Sequence, residues 1–269
     1  MKKIIFTIII LIIVCVISIV YFFPKKNISE YQLNTSIKAL PTLSATQSTL
    51  PTETAVAVST NSTNVPLISQ EKIISVPFAD QAPFKDWGDP YQEACEETSI
   101  IMAKAFKDGN NAEDLDKSYI NEQILALVDY QNKNWSGHHD LDTQLTLKLM
   151  QDFYGLDGKI ETINSADDIK EILAQGKIII APTYGKKLDN PNFTAPGPVY
   201  HMLVIKGYTN TNFITNDPGV WQGKSFNYPF DTLFMAIADL PQEAAGKKGY
   251  IKEHEDLMQN TTKNIIVIR

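Results

Sequence analysis

Tyr200-His201-Met202-Leu203-Val204-Ile205-Lys206-Gly207-Tyr208 is an apolar run rich in β-branched and aromatic side chains, opened by a histidine. That composition predicts a strand. Residues 177–184 and 213–216, on either side of it, have the same character; 265–268 supply a last strand and 73–78 a short first one. Between the first strand and the rest, the apolar period becomes helical. Asp89-Pro90 is a plausible helix start, because proline is tolerated in a first turn, and Ala94, Thr98, Ile101, Met102 and Ala105 follow at helical spacing as far as Gly109. Ile120, Ile124, Leu127 and Val128 mark a second helix over 119–131. A third runs from Asp142 to Tyr154 and stops at Gly155, Ser165 caps a fourth over 166–175, and 230–238 is a further candidate. Helices first and an antiparallel sheet after them predict an α+β domain, a helical lobe packed on a sheet.

Upstream of the first strand the chain changes character twice. Residues 4–23 form an apolar run broken only mildly by Thr7, Cys15, Ser18 and Tyr21, with Lys2 and Lys3 before it and Lys25 and Lys26 after it. At about 1.5 Å per residue it spans roughly 30 Å, the thickness of a bilayer's hydrocarbon. No small-x-small cleavage site precedes Pro24, and bulky Ile12, Ile13 and Val14 oppose lipid attachment at Cys15. A transmembrane signal anchor over 1–26 is therefore expected. Residues 27–70 are rich in Ser, Thr, Pro and Asn, with no aromatic after Tyr31. Such a stretch buries too little apolar surface to offset its ordering entropy and reads as a disordered tether, spanning on the order of 35–40 Å. The flanking lysines balance, so charge decides orientation weakly. Tethers of this composition favour placing the domain at 71–269 outside the cytoplasm, held by a single-pass anchor.

The net charge is −7, with no basic run beyond the membrane flanks, which argues against nucleic acid as a partner. Of the 2 cysteines, Cys15 lies in the apolar run, so the domain cannot form an internal disulfide. A lone thiol facing an oxidising exterior is a liability unless it is buried or working.

Thiol catalysis needs a thiolate, an imidazole, and a group that holds the imidazole in place. Cys95 stands near the start of a predicted helix, where backbone N–H groups and the helix dipole pull a thiol below its free value of about 8.5. Glu93, Glu96 and Glu97 oppose that, but at offsets of one and two residues they need not face the sulfur. His201 opens its strand at the mouth of the sheet. The next strand runs into Asn216-Asp217-Pro218-Gly219, and a short antiparallel turn brings that end beside His201. Asp217 is favoured over Asn216 as the group that orients the imidazole. Gln81, ahead of the helix, can offer a side-chain amide to an oxyanion, with the Cys95 backbone N–H as second donor.

Val76-Pro77-Phe78, Gln81-Ala82-Pro83, Trp87, Pro90-Tyr91, Glu93-Ala94-Cys95-Glu96-Glu97, Tyr200-His201-Met202-Leu203-Val204 and Asn216-Asp217-Pro218-Gly219 together resemble family thirty-nine of the cysteine peptidases, in its bacterial single-domain branch. The resemblance covers about 73–269. It implies a papain-like fold in which Gln81, Cys95, His201 and Asp217 work together without metal or organic cofactor. Transporter-linked members of the family cut double-glycine leaders, but this chain carries neither their membrane-spanning domain nor a P-loop, so that substrate does not carry over. The gap from Gln81 to Cys95 is also longer than is general for papain-like enzymes.

Other features read more simply. His138-His139-Asp140 lacks zinc spacing, and Asp140 or Asp142 serves better as a helix cap. Residues 108–116 lack the ligand pattern of a calcium loop. Glu96 and Glu97 point to different sides of a helix. Trp87, Trp135 and Trp221 are core or rim residues that could line a cleft, and 185–198 could be a mobile cover over the site. The function expected is that of a membrane-anchored extracellular thiol peptidase acting on a peptide or protein substrate. Two alternatives are a cell-wall peptide amidase or acyltransferase with the same triad, and a non-catalytic tethered binding domain.

Overall fold

The computed structural model describes residues 69–269. The expected anchor at 1–26 and nearly all of the tether at 27–70 lie outside the described residues, among which no helix is long and apolar enough to cross a membrane. In chain order the elements are β1 (Lys72–Ile73), α1 (Cys95–Lys107), α2 (Lys117–Asn134), α3 (Thr143–Tyr154), β2 (Lys159–Thr162), α4 (Ala166–Ala174), β3 (Ile178–Thr183), β4 (His201–Tyr208), β5 (Asn212–Asn216), β6 (Phe226–Pro229), α5 (Phe230–Ala236), α6 (Tyr250–Glu253) and β7 (Asn264–Ile268). The domain is α+β. Its strands run β2-β7-β3-β4-β5-β6, with β1 beside the far end of β4, and every pairing is antiparallel.

The helices stand where their end signals direct. Asp116 accepts from the Ser118 and Tyr119 N–H groups at the start of α2, and Asp142 accepts from Leu145 N at the start of α3. Ser165 and Asp168 close a reciprocal capping box on α4. Removing such a cap costs about 1 kcal/mol. Gly155, at φ 62°, ends α3 in the left-handed region that glycine adopts freely. Lys263 Nζ donates to the Phe234 and Ile237 carbonyls at 2.7 and 2.8 Å, satisfying acceptors at the end of α5.

Strands β3 and β4 are buried along their whole length, as strands covered on both faces are. Helix α1 packs on both strands as well as on α2 and α3, and its Ile100, Ile101, Met102 and Ala103 are all sealed from water. Thr183 pairs with His201 at one end of the β3–β4 ladder, and β5 returns along β4 with Asn216 opposite Val204. The residue after β5, Asp217, is thereby delivered to the end of β4 that starts with His201.

Two boundaries differ from expectation. The first strand is not 73–78: only Lys72 and Ile73 pair with β4, at Tyr208 and Gly207. Pro77 has no N–H for a ladder, the Val76 and Pro77 carbonyls are taken by the Asn216 side chain, and Phe78 turns away to pair with Asp114. The helix does not begin at Asp89-Pro90 either. A 3-10 turn over Tyr91–Glu93 intervenes, and α1 starts at Cys95 itself. Strands β2 and β6, at the two edges, and the short α6 were not expected. Edge strands carry polar residues such as Lys159, Glu161 and Asn227, which hide the alternation.

Candidate active site

A cleft of about 310 Å³ opens where the start of α1 meets the start of β4, with Gln81, Cys95, Asp140, Phe193, His201 and Gly219 in its wall. Of the residues expected to work together, Gln81, Cys95 and His201 share this cleft, and Asp217 sits behind His201.

His201 is only 3% exposed, and its Nε2 lies 2.7 Å from Asp217 Oδ1. Asp217 is sealed from water yet fully served by donors. Gly219 N reaches Oδ1 at 3.0 Å, and the Tyr228 hydroxyl and Asn190 Nδ2 reach Oδ2 at 2.6 and 3.3 Å. Burial alone would push this carboxyl up, but His201, Tyr228 and the Gly219 N–H outweigh it and hold it below the ordinary carboxylate value. Asn216 faces elsewhere. Its amide donates to the Val76 and Pro77 carbonyls and its oxygen accepts from Ser225 N, so it ties β5 to the segment ahead of α1. Phe193 stands edge-on to the imidazole at 5.4 Å between centroids. Gly219 leaves room for the ring: a Cβ there would lie 2.7 Å from His201 Cε1.

Cys95 corrects two expectations. Glu96 does face the sulfur, since the thiol donates to Glu96 Oε2 at 3.0 Å. And the thiol is not pulled down by the helix start. Burial, followed by the Glu96 charge and its hydrogen bond, pushes it well above the ordinary thiol value; the backbone N–H of Met202, next to His201, acts in the other direction but does not prevail. Helix-terminus N–H groups act over a fraction of a charge, whereas desolvation penalises the whole thiolate. Glu96 is itself sealed from water. Its Oε1 accepts from Leu141 N at 2.9 Å, while burial and then Glu97 and Asp140 push the carboxyl well above its usual range.

Gln81 is held from both sides. Its backbone N–H donates to the Pro218 carbonyl at 3.1 Å, and its Nε2 donates to the Tyr91 carbonyl at 2.9 Å. Its Oε1 is buried without a partner among the described residues.

Asp142 caps α3, while Asp140 does not cap it and instead lines the cleft. His138 Nε2 lies 3.5 Å from buried Glu97, whose Oε1 also accepts from Gln131 Nε2 at 2.5 Å. Among the described residues no group of His, Cys, Asp and Glu is arranged to hold a metal. Trp87 stands on the cleft wall; Trp135 packs edge-on against Tyr130, and Trp221 is exposed under Lys85. Residues 185–198 form a cleft wall anchored by buried Leu188 and Asn190. Sequence reasoning missed Tyr228, Asn190 and Gly219. Only Gly219 carried a local signal, standing two residues beyond Asp217.

The chain belongs to the Peptidase_C39 like family, whose model matches residues 62–237. Gln81, Cys95, His201 and Asp217 all fall within that match, and membership points to cysteine-peptidase activity. Among solved structures, a crystal structure from Bacillus anthracis named for a C39-like peptidase is similar, at 16% identity and a TM-score of 0.40, over 75% of this chain and 98% of the other. No curated protein matches.

Proposed function

We propose that the chain is a membrane-anchored cysteine peptidase of papain-like type, working through Cys95, His201, Asp217 and Gln81 on the outer side of the membrane. The observation that carries the reading is the buried His201–Asp217 pair opening onto the same cleft as the domain's one thiol. With Nε2–H committed to Asp217, Nδ1 is the basic nitrogen. The resting thiol is neutral, so the reaction starts without a ready-made thiolate. The Sγ proton leaves Glu96 Oε2 and passes to Nδ1 as sulfur attacks the substrate carbonyl carbon. The oxygen of the tetrahedral adduct takes hydrogen bonds from the Cys95 backbone N–H and the second Gln81 Nε2–H. The imidazolium then protonates the departing amine, the C–N bond breaks, and a thioester remains. Water, giving its proton to Nδ1, attacks that thioester and releases the acid and the thiol.

The apolar run at 4–23 and the Ser/Thr-rich stretch after it support anchoring and an external domain. Incubating the full chain in nonionic detergent with a mixed peptide pool, and reading the products by mass spectrometry, tests the chemistry. Cleavage is expected, and is lost in Cys95→Ala and in His201→Ala. Cleavage that persists in Cys95→Ala refutes the assignment, and products from muropeptides alone point to the cell-wall amidase instead. Labelling of Cys95 in intact cells by a membrane-impermeant maleimide tests the location.

A further inference from the structure

We propose that Asp140 forms a subsite of the Cys95 cleft that takes an ammonium or guanidinium group of the substrate. This names the substrate class for the peptidase reading and rests on that reading.

The cleft carries charge of one sign. Its lining includes Glu93 and Asp140 and no lysine or arginine. Asp140 is only 7% exposed and lines the cleft; among the described residues its carboxylate accepts no hydrogen bond, the Gly246 N–H going to its backbone carbonyl. Buried carboxylates are ordinarily served by donors, as Asp217 is by His201, Gly219, Tyr228 and Asn190, so a carboxylate left bare at a cleft wall has its partner still to come. Of the two nearby cations, Lys252 Nζ pairs with Glu93 and His138 lies 3.5 Å from Glu97, so Glu93 already has its counter-ion while the Asp140 carboxylate has no direct partner among the described residues. The acids around Asp140, namely Glu93, Glu97 and Glu96, exceed those cations, and burial followed by Glu93 pushes Asp140 up to about 6. Trp87 also lines the cleft, an aromatic side chain of the kind that attracts a cation.

The arrangement links recognition to reactivity. Asp140 is among the charges that hold the Cys95 thiol protonated. A substrate cation neutralising Asp140 removes that repulsion as the scissile bond arrives, so cationic substrates gain in kcat as well as in KM.

Methanethiosulfonate reagents test the subsite without requiring hydrolysis. The full chain in nonionic detergent is treated with the 2-aminoethyl, methyl and 2-sulfonatoethyl reagents, and modification of Cys95 is followed by peptide mass spectrometry. Each rate is divided by the rate with a small free thiol. The ammonium reagent is expected to outpace the neutral one by on the order of tenfold, and the sulfonate to lag it, as one desolvated charge pair dictates. In Asp140→Asn the ammonium-to-neutral ratio falls towards one. A wild-type ratio near one, or a ratio kept in both Asp140→Asn and Asp140→Ala, overturns the proposal. Matched peptides then separate the sources of the cation: Nα-acetylated lysine peptides against norleucine peptides for a side chain, unblocked against acetylated norleucine peptides for a terminal ammonium. A charge-selective Cys95 on a chain that cleaves no peptide would sink the peptidase reading and leave the cation subsite standing.

Discussion

Replacing Asp140 with asparagine is expected to stabilise the protein at pH 8, against the usual outcome for a change at a buried position. In the folded chain Asp140 titrates at about 6, against an ordinary 3.8, because burial and the neighbouring acids penalise its charge. Well below pH 3.8 the folded and unfolded chains both hold it neutral, and it carries no penalty. As pH rises from there to 6 the unfolded chain ionises first, and folding loses stability until the folded group ionises too. The full penalty above pH 6 is about 3 kcal/mol, at 1.36 kcal/mol per pH unit. Asparagine carries no charge but leaves a buried amide imperfectly served, which costs about 1 kcal/mol. The net gain is therefore about 2 kcal/mol at pH 8 and vanishes or reverses at pH 4. Urea unfolding followed by the fluorescence of the 3 tryptophans, all within the folded domain, measures it at both pH values. A variant less stable than wild type at pH 8, or a gain of equal size at both pH values, would refute the reasoning and make Asp140 an ordinary packing residue.

Glu96→Gln removes the charge that the thiol faces while keeping an acceptor for Leu141 N, so Cys95 should react with iodoacetamide at lower pH than in the wild type; an unchanged or upward-shifted profile would dismiss Glu96 as its suppressor. Gly219→Ala drives a methyl against His201 Cε1 and should cut peptide cleavage about a hundredfold through misplacement of the ring, with far-ultraviolet circular dichroism unchanged. Tyr228→Phe takes one donor from a buried carboxylate and should lower stability at neutral pH by about 2 kcal/mol, or roughly 5 °C in Tm by calorimetry. Because Asp217 is held below its ordinary value, its stabilisation is present above about pH 4 and fades on further acidification, so the Tyr228→Phe deficit should shrink there.

Much of the fold could be read directly, for reasons that also explain the failures. β3 and β4 are buried on both faces and announce themselves by composition alone. β2 and β6, at the edges, must resist further pairing and so lose their pattern. Asp217 was reachable because a short hairpin converts nearness in sequence into nearness in space. Tyr228 and Asn190 reach the same carboxylate from β6 and from the loop after β3, and nothing local in either marks a partner so distant in the chain. The orientation of Glu96 misled because the rule for adjacent helical residues concerns side chains free to diverge into solvent. Here the Leu141 N–H draws Glu96 inward, beside the thiol at the cleft wall.

Strand β7 lies between β2 and β3, with partners on both edges. A nascent chain that has emerged only as far as α6 therefore has a gap inside its sheet, with β2 unpaired and one edge of β3 bare. Completion of the domain must wait until the residues of β7 have cleared the ribosome and, in an exported protein, the translocation pore. Until then the bare edge of β3, at residues 178–180, is open to any strand that can take the missing place, and so is the unpaired β2.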